Sequence, residues 1–463
     1  MKLSVVLLLS TLLPTSSFIL RPPPTKVGSS PLLTSFSPIN KPTRLYASDA
    51  AAASTKKKSS LTSSTFNVIK ACVGAGVLSL PAGVSAFSSS PNALYPSITL
   101  MLILGTLSGY SFNTIGKICK TSDSRSISEA WEKTVGPSSF PISLACFLTP
   151  LGAALSYSII LADTATSLTT AIGYTVTRSK AIIVLSATIL YRLCRMKDLS
   201  SLAPVSILGV GGIFATCVFM ALRAFGDAYK VGGGMFGLLA SAGRPVFNLA
   251  PVDFFNLKAL VLVSMAATAY LSHFNAPDFL HDLEDNTLPR FKKLVTRGFG
   301  ITAIISAAMM SFGFLTFGGA CQGVVLNNYA DFDKGATICR GLMALSVIGS
   351  YPFVFSGLKN GFFGLMKTNP TPKQDKLFVR VGLTLITCLA LVLKNAGFIS
   401  AFMGAVCGSA IIYIFPSVMF LKSGYGGKKE RAFNYFLIAL GAIFGVAGGA
   451  VSILDSFFPA MLA

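Results

Sequence analysis

Phe66-Asn67-Val68-Ile69-Lys70-Ala71-Cys72-Val73-Gly74-Ala75-Gly76-Val77-Leu78-Ser79-Leu80-Pro81 begins the first long apolar segment of the chain, directly after a polar leader. Two glycines and a proline interrupt what is otherwise a plain membrane helix. Glycine weakens a helix, and proline lacks one backbone donor. In lipid, freed backbone groups are tolerated only where they face protein or a water-filled cavity. A helix broken near mid-membrane is therefore a candidate binding site, because half-helix ends offer dipoles and carbonyls to ions and substrate. The competing reading is a close helix-packing face built on small residues. Taken alone, so short a glycine pattern leaves both readings open.

The wider composition places this stretch in a membrane. The chain has 463 residues, 52% of them hydrophobic and only 12% charged, with a mean hydropathy of +0.67. Soluble domains carry about 25% charged residues, so the chain reads as an integral membrane protein. Its formal charge of +21 comes from short Lys and Arg runs between apolar segments. That pattern sets membrane orientation; nucleic-acid binding would need a basic face on a soluble domain. The nine Cys are scattered without a C-x-x-C pair, which argues against a disulfide framework or a zinc site. Cys321 and Cys339 flank one loop and would bridge only in an oxidising compartment. With His273 and His281 the only histidines, no metal site and no histidine-based metalloenzyme is expected.

The leader divides in two. Residues 1–17 have Lys2, an apolar run from Leu3 to Leu13 and then Pro-Thr-Ser-Ser, the pattern of a signal peptide whose core is too short to span comfortably. Residues 18–60 are rich in Ser, Thr and Pro and hold a single acid, Asp49, which is transit-peptide composition. Phe18-Ile19-Leu20-Arg21-Pro22 resembles the cleavage-site motif of plastid presequences in algae with complex plastids. A plastid envelope or other plastid membrane is the expected destination. An ordinary disordered tail behind a secretory signal or anchor, in an endomembrane or plasma membrane, is the alternative.

Residues 61–463 form the membrane domain. From residue 64 onward there are eleven apolar segments of about the ~20 residues a membrane helix needs. They lie near 64–86, 93–117, 138–170, 179–194, 201–222, 256–280, 295–318, 336–358, 377–394, 396–421 and 431–454. Counted with their flanks, the even-numbered gaps and the Lys56-Lys57-Lys58 run hold 23 basic residues against 9 on the opposite side. Positive charge accumulates on the cytoplasmic side or its equivalent, so the mature N-terminus is expected inside and the C-terminus outside. The sixth segment ends Ala269-Tyr270-Leu271-Ser272-His273-Phe274-Asn275-Ala276-Pro277-Asp278, a second interruption five segments after the first. The fold class expected is an all-α polytopic membrane protein of eleven transmembrane helices, as two five-helix repeats of inverted topology plus one C-terminal helix.

Five stretches then make the chain resemble the amino acid/auxin permease family, whose members have the leucine-transporter-type fold. They are Ser64-Thr65-Phe66-Asn67 through Gly74-Ala75-Gly76 to Pro81; Ser156-Tyr157 through Asp163; His273-Phe274-Asn275-Ala276-Pro277; Ser350-Tyr351-Pro352; and Gly404 through Pro416. They stand in order and spacing over about residues 62–455. The resemblance implies a substrate site at unwound backbone of the first and sixth helices, with Val73, Gly74, Ala75 and Gly76 on one wall and Tyr270, Ser272 and His273 on the other. Tyr270 and Phe274 are expected to size the side-chain pocket. Backbone N–H groups at a half-helix end suit the carboxylate of an amino acid.

The resemblance also implies a cation site between the first and eighth helices, with Ser350 and, one turn earlier, Ser346 as hydroxyl ligands. Sodium-coupled members commonly have Asn where this chain has Lys70, which shifts the expectation from sodium to the proton. Burial lowers the pKa of a lysine, and Lys70 is expected to exchange a proton in each cycle. The competing reading is that it snorkels to the inner surface. Asp163, an acid in an apolar helix, and His273, which titrates near neutral pH, complete the expected coupling groups.

The chain therefore reads as a secondary active transporter of amino acids, without catalysis or cofactor. Its expected partners are an amino acid, a coupling ion, H+ ahead of Na+, and membrane lipid, with no nucleic acid. The rival readings are an amino-acid sensor of the same fold, a sodium-coupled symporter, a channel and a membrane-bound enzyme. Two broken helices favour alternating access over a continuous pore. The absence of paired carboxylates within the spans speaks against the enzyme.

Overall fold

The structure is a computed structural model, and it describes residues 58–196, 203–253, 256–368 and 370–462. The signal-like and transit-like readings fall on residues that lie, except for 58–60, outside these.

The first helix, α1 (Leu61–Cys72), is capped by the Ser60 side chain, which accepts from Ser63 N–H. It stops at Val73, and Gly74 is extended at φ −112° and ψ −160°. A 3-10 turn over Ala75–Ser79 leads into α2 (Leu80–Phe87), where Pro81 stands in the first turn. Proline is at home there, since its missing N–H has no intrahelical partner in any case. The chain therefore breaks at Gly74, and Pro81 opens the second half. The two halves are bent by 47°.

The same device recurs in α9 (Ala259–Ala269), which ends at Tyr270. A 3-10 turn over His273–Asn275 follows, then α10 (Ala276–Asp282) with Pro277 in its first turn. Between the two breaks run α3 (Leu94–Thr121), the short amphipathic α4 (Ile127–Thr134) and α5 (Phe140–Ala171). After these come α6 (Arg178–Leu185), which passes through a π turn into α7 (Tyr191–Cys194), and α8 (Ala203–Phe225). Beyond the second break come α11 (Leu288–Phe317), α12 (Lys334–Leu365) and α13 (Pro372–Val392). Then α14 (Ala396–Met403) continues through two π turns into α15 (Phe415–Lys422), and α16 (Lys428–Phe457) closes the bundle.

The protein is all-helical and multi-pass. Among the described residues, eight helices are long and apolar enough to cross a membrane, or nine if the bent α1–α2 pair is one span. The expected fourth and ninth segments are helical but are not among them. The α6–α7 run goes only from Arg178 to Cys194, and α13 opens on Lys373, Gln374, Asp375 and Lys376.

Small residues let the broken helices sit close, as membrane helices need. A Cβ on Gly83 of α2 would lie 3.1 Å from Leu262 Cα of α9, and one on Gly404 only 1.9 Å from the Ser264 carbonyl oxygen. The loop between α11 and α12 is rigid for a different reason. Buried Arg340 donates to the carbonyls of Leu326, Tyr329 and Ala330 beneath it. Asp333, fully buried, pairs with Arg223 at 2.8 Å, accepts from Tyr229 Oη and caps α12. A buried charge persists only when so compensated.

Candidate functional site

A cavity of about 440 Å3 lies where the two breaks meet. Its first wall is α1 and the following turn, with Asn67, Lys70, Gly74, Gly76 and Ser79. Thr268, Leu271, Phe274 and Asn275 come from the second break, Ser350, Phe353 and Val354 from α12, and Ile399, Ser400 and Met403 from α14. The remaining side is α5, from Thr149 to Ile160, including Tyr157.

Both glycines of the first break stand at the wall. A Cβ on Gly74 would lie 3.5 Å from Tyr157 Oη, and one on Gly76 would lie 3.4 Å from Thr268 Cγ2. There is room for a methyl group at either position and for little more. The first N–H groups of the Ala75–Ser79 turn have no preceding turn to accept from them, so this wall can offer donors to a carboxylate. Thr268 Oγ1 donates to the Ser400 carbonyl at 2.6 Å, and Ser79 Oγ to Ser400 Oγ at 3.1 Å. These bonds tie α9, α14 and the first break together at one end of the cavity. Among the described residues that line it, Lys70 is the only one with a charged side chain.

The structure brings Lys70, Gly74, Gly76 and Ser350 to this cavity. Val73 is buried behind the wall, with its N–H bonded to the Ile69 carbonyl, and Ala75 contributes backbone to the turn. The other expected residues are elsewhere. Tyr270, Ser272 and His273 are each wholly buried and face away from the cavity. Tyr270 Oη donates to the Met101 carbonyl at 3.0 Å. His273 Nε2 is 3.0 Å from the Ser108 carbonyl and 2.9 Å from Ser111 Oγ, and Ser272 Oγ is 3.1 Å from Cys72 Sγ. Tyr270 and His273 thus reach α3, while Ser272 reaches the end of α1. Ser346 packs under α8, where a Cβ on Gly209 would fall 2.5 Å from its Oγ.

Asp163 is also outside the cavity. Arg178 pairs with it at 2.6 Å and Asn327 Nδ2 donates to it at 3.3 Å, on the wall of a second cavity. The sequence reading missed Asn67, Thr268, Ser400 and Met403. Asn67 and Thr268 were within reach, one helical turn before Lys70 and just before Tyr270; Ser400 and Met403 carry no local signal.

The sequence matches the family described as transmembrane amino acid transporter protein over residues 57–457. The chain belongs to that family. A relative in Mus musculus, named putative sodium-coupled neutral amino acid transporter 11, is 24% identical over 86% of each chain. Another, amino acid transporter AVT6B of Arabidopsis thaliana, is 23% identical over 80% of this chain and 84% of its own length. Among solved structures, the inward-facing conformation of Mhp1 is similar with a TM-score of 0.57 at 14% identity, over 88% of this chain and 91% of that one. MhsT in complex with L-phenylalanine gives 0.51 at 14% identity, over 85% and 98%. These likenesses establish a shared transporter fold. As a member of the family that matches over residues 57–457, the chain is an amino acid transporter and not an enzyme.

Proposed function

We propose that this amino acid transporter is a secondary active carrier of neutral amino acids with apolar side chains, driven by the proton gradient. The observation that carries the substrate class is the lining of the cavity. Ile160, Leu271, Phe274, Phe353, Val354, Ile399 and Met403 supply its apolar surface, and among the described residues no carboxylate lines it. A cationic side chain would find no counter-charge there, and desolvating an unpaired charge is costly.

The proton reading rests on Lys70. An ammonium group in the cavity that also holds Ser350 disfavours a sodium ion at the same place. Loss and return of its proton lets the same group serve as the coupling site. Of the coupling residues expected from sequence, Lys70 and Ser350 remain candidates; Ser346, Asp163 and His273 are held elsewhere by the partners described above. Uptake of labelled L-leucine into proteoliposomes tests the reading. Drive by an inward proton gradient, indifference to sodium and loss of drive in Lys70→Met are expected. Sodium-dependent uptake would remove the coupling proposal and would align the chain with what the mouse relative's name describes.

The arrangement proposed is eleven spans, with α6–α7 and α13 as the fourth and ninth, in two inverted five-helix repeats and a last helix. The recurrence of a broken helix with proline opening its second half supports it. Cysteine labelling of the 223–253 loop and of residues 423–427 should report opposite sides of the membrane. For the location, the proposal is a plastid membrane, resting on the leader composition and Phe18. Residues 1–60 fused to a fluorescent protein should enter plastids and fail to do so with Phe18→Ala; secretion of both fusions would end it.

A further inference from the structure

Two arginines converge on one tyrosine at the end of the bundle where α7 stops and α13 starts. Arg380 Nε donates to Tyr191 Oη at 3.2 Å. The Arg195 guanidinium stands over the same ring, 5.5 Å from its centroid. Both arginines are exposed, as are Arg192, next to Tyr191, and Lys376, one turn before Arg380. Among the described residues, Arg192, Arg195 and Arg380 have no carboxylate partner. The acid in the first turn of α13, Asp375, is taken by Lys359 at 2.6 Å.

Gathered cations repel one another, and a tyrosine hydroxyl brings no net negative charge to relieve them. An anion seated between the two arginines does. A guanidinium presents its donors as a planar fork that fits phosphate oxygens in pairs. Tyr191 already holds both side chains in place, so less of their freedom is lost when an anion arrives.

The neighbouring surface indicates which anion. Leu377, Val381 and Leu385 are exposed and recur every four residues, so they form one apolar row along α13. Arg380 stands beside that row, next to Val381 in the chain. Ile183, Val184 and Ile189 of the α6–α7 run are exposed as well. An inorganic anion would use the cations alone. A phospholipid uses both features, with its phosphate on the arginines and its acyl chains along the apolar row. Basic pockets between membrane helices hold acidic head groups by this combination.

We propose that Arg195, Tyr191 and Arg380 form a binding site for the phosphate of one anionic phospholipid, whose acyl chains lie along Leu377, Val381 and Leu385. The bound lipid clasps α7 to α13 from outside the bundle. The site is independent of which solute the chain carries.

Lipid counting by native mass spectrometry of the purified full chain tests it, with phosphatidylglycerol and phosphatidylcholine as probes. One phosphatidylglycerol per chain should stay bound in about tenfold excess of phosphatidylcholine. Arg195→Gln and Arg380→Gln should each weaken that binding at least about tenfold, as the loss of a charge-assisted contact to phosphate requires. Lys428→Gln removes the same charge from the first turn of α16 and should leave the binding unchanged. Equal binding in the wild type and both arginine variants overturns the proposal. Equal weakening in Lys428→Gln also overturns it, because the attraction would then be diffuse. Inorganic phosphate that displaces phosphatidylglycerol and raises the unfolding temperature as far would mean a free-anion site and overturn the lipid assignment. Should an arginine variant misfold, the wild type alone decides. Phosphatidylglycerol with a photoreactive group in its acyl chain should label α13, and unlabelled phosphatidylglycerol, but not phosphatidylcholine, should suppress the labelling. Labelling spread evenly over the lipid-facing helices overturns the proposal.

Discussion

The two breaks share a sequence grammar and differ in what holds them. Each ends a helix, inserts a 3-10 turn and restarts on a proline in the first turn of the next helix. The first break presents glycine backbone to the cavity, with space for little more than a methyl group at Gly74 and Gly76. The second turns Tyr270 and His273 away and fastens them to α3, through Tyr270 to Met101 and His273 to Ser108 and Ser111. One break lines the cavity with glycine backbone. The other is pinned, and its cavity face is made by the residues between and beside the pins, Thr268, Leu271, Phe274 and Asn275. A broken helix in a transporter therefore has two faces, and polar residues at the break belong to either one.

The sharpest way to break this contrast is at Gly76. A valine there sends two methyl groups past Thr268 Cγ2, already 3.4 Å from where a Cβ would stand. We expect Gly76→Val to reduce L-leucine uptake at least about 100-fold, with insertion and monodispersity retained, because an exposed β-branched side chain fills the substrate space without disturbing the packed faces. Wild-type uptake in that variant would return the first break to a packing role and erase the difference between the two breaks.

His273 tests the other side. Its Nε2–H donates to the Ser108 carbonyl, and its ring packs edge-on against Phe112 and Phe299, with centroids 5.6 and 6.0 Å away. His273→Ala removes one of the two side-chain donors to the Ser108 carbonyl and leaves a void between two rings. A loss of about 2–4 kcal/mol in stability is expected, read as a lower unfolding temperature in detergent. For the fraction that remains folded, the substrate concentration giving half-maximal uptake should be unchanged. A large rise in that concentration with stability intact would place His273 at the substrate after all.

Much of this was legible beforehand, and the boundary of what was not is physical. Hydropathy and the Gly-Ala-Gly to Pro81 spacing locate a break, because backbone chemistry depends on residue type alone. The direction in which Tyr270, Ser272 and His273 point depends on where the helix stops, at Ala269, and on the irregular backbone and 3-10 turn that follow, which rotate them relative to a continuous α-helix. Nothing in the sequence states that rotation. Asp163 announced itself as a costly acid, yet its partner Arg178 lies beyond the end of its own helix, across a turn. The last apolar segment was expected to end at residue 454, whereas α16 continues to Phe457 and carries Asp455 to a cavity wall.

The smallest effect tests the pin most cleanly, because it needs no transport assay. Gly105 of α3 faces Tyr270 so closely that a Cβ there would lie 2.9 Å from the Tyr270 hydroxyl oxygen and 3.0 Å from Cζ. Gly105→Ala therefore overpacks a fixed ring and should cost about 1–3 kcal/mol. Tyr270→Phe removes one hydrogen bond to the Met101 carbonyl and should cost about 1 kcal/mol. If the hydroxyl is what holds the ring against α3, the double variant loses less than the sum of the two. A phenylalanine ring freed of its tether can retreat from the new methyl group, leaving a coupling of about 0.5–1 kcal/mol between the positions. Unfolding temperatures of the four proteins in one detergent measure it. Strict additivity would mean that the ring is held by the surrounding packing, including its stack on Phe299, and that the hydroxyl bond only satisfies a polar atom. The second break would then be fixed by shape, and a substitution such as Tyr270→Phe would leave its orientation unchanged.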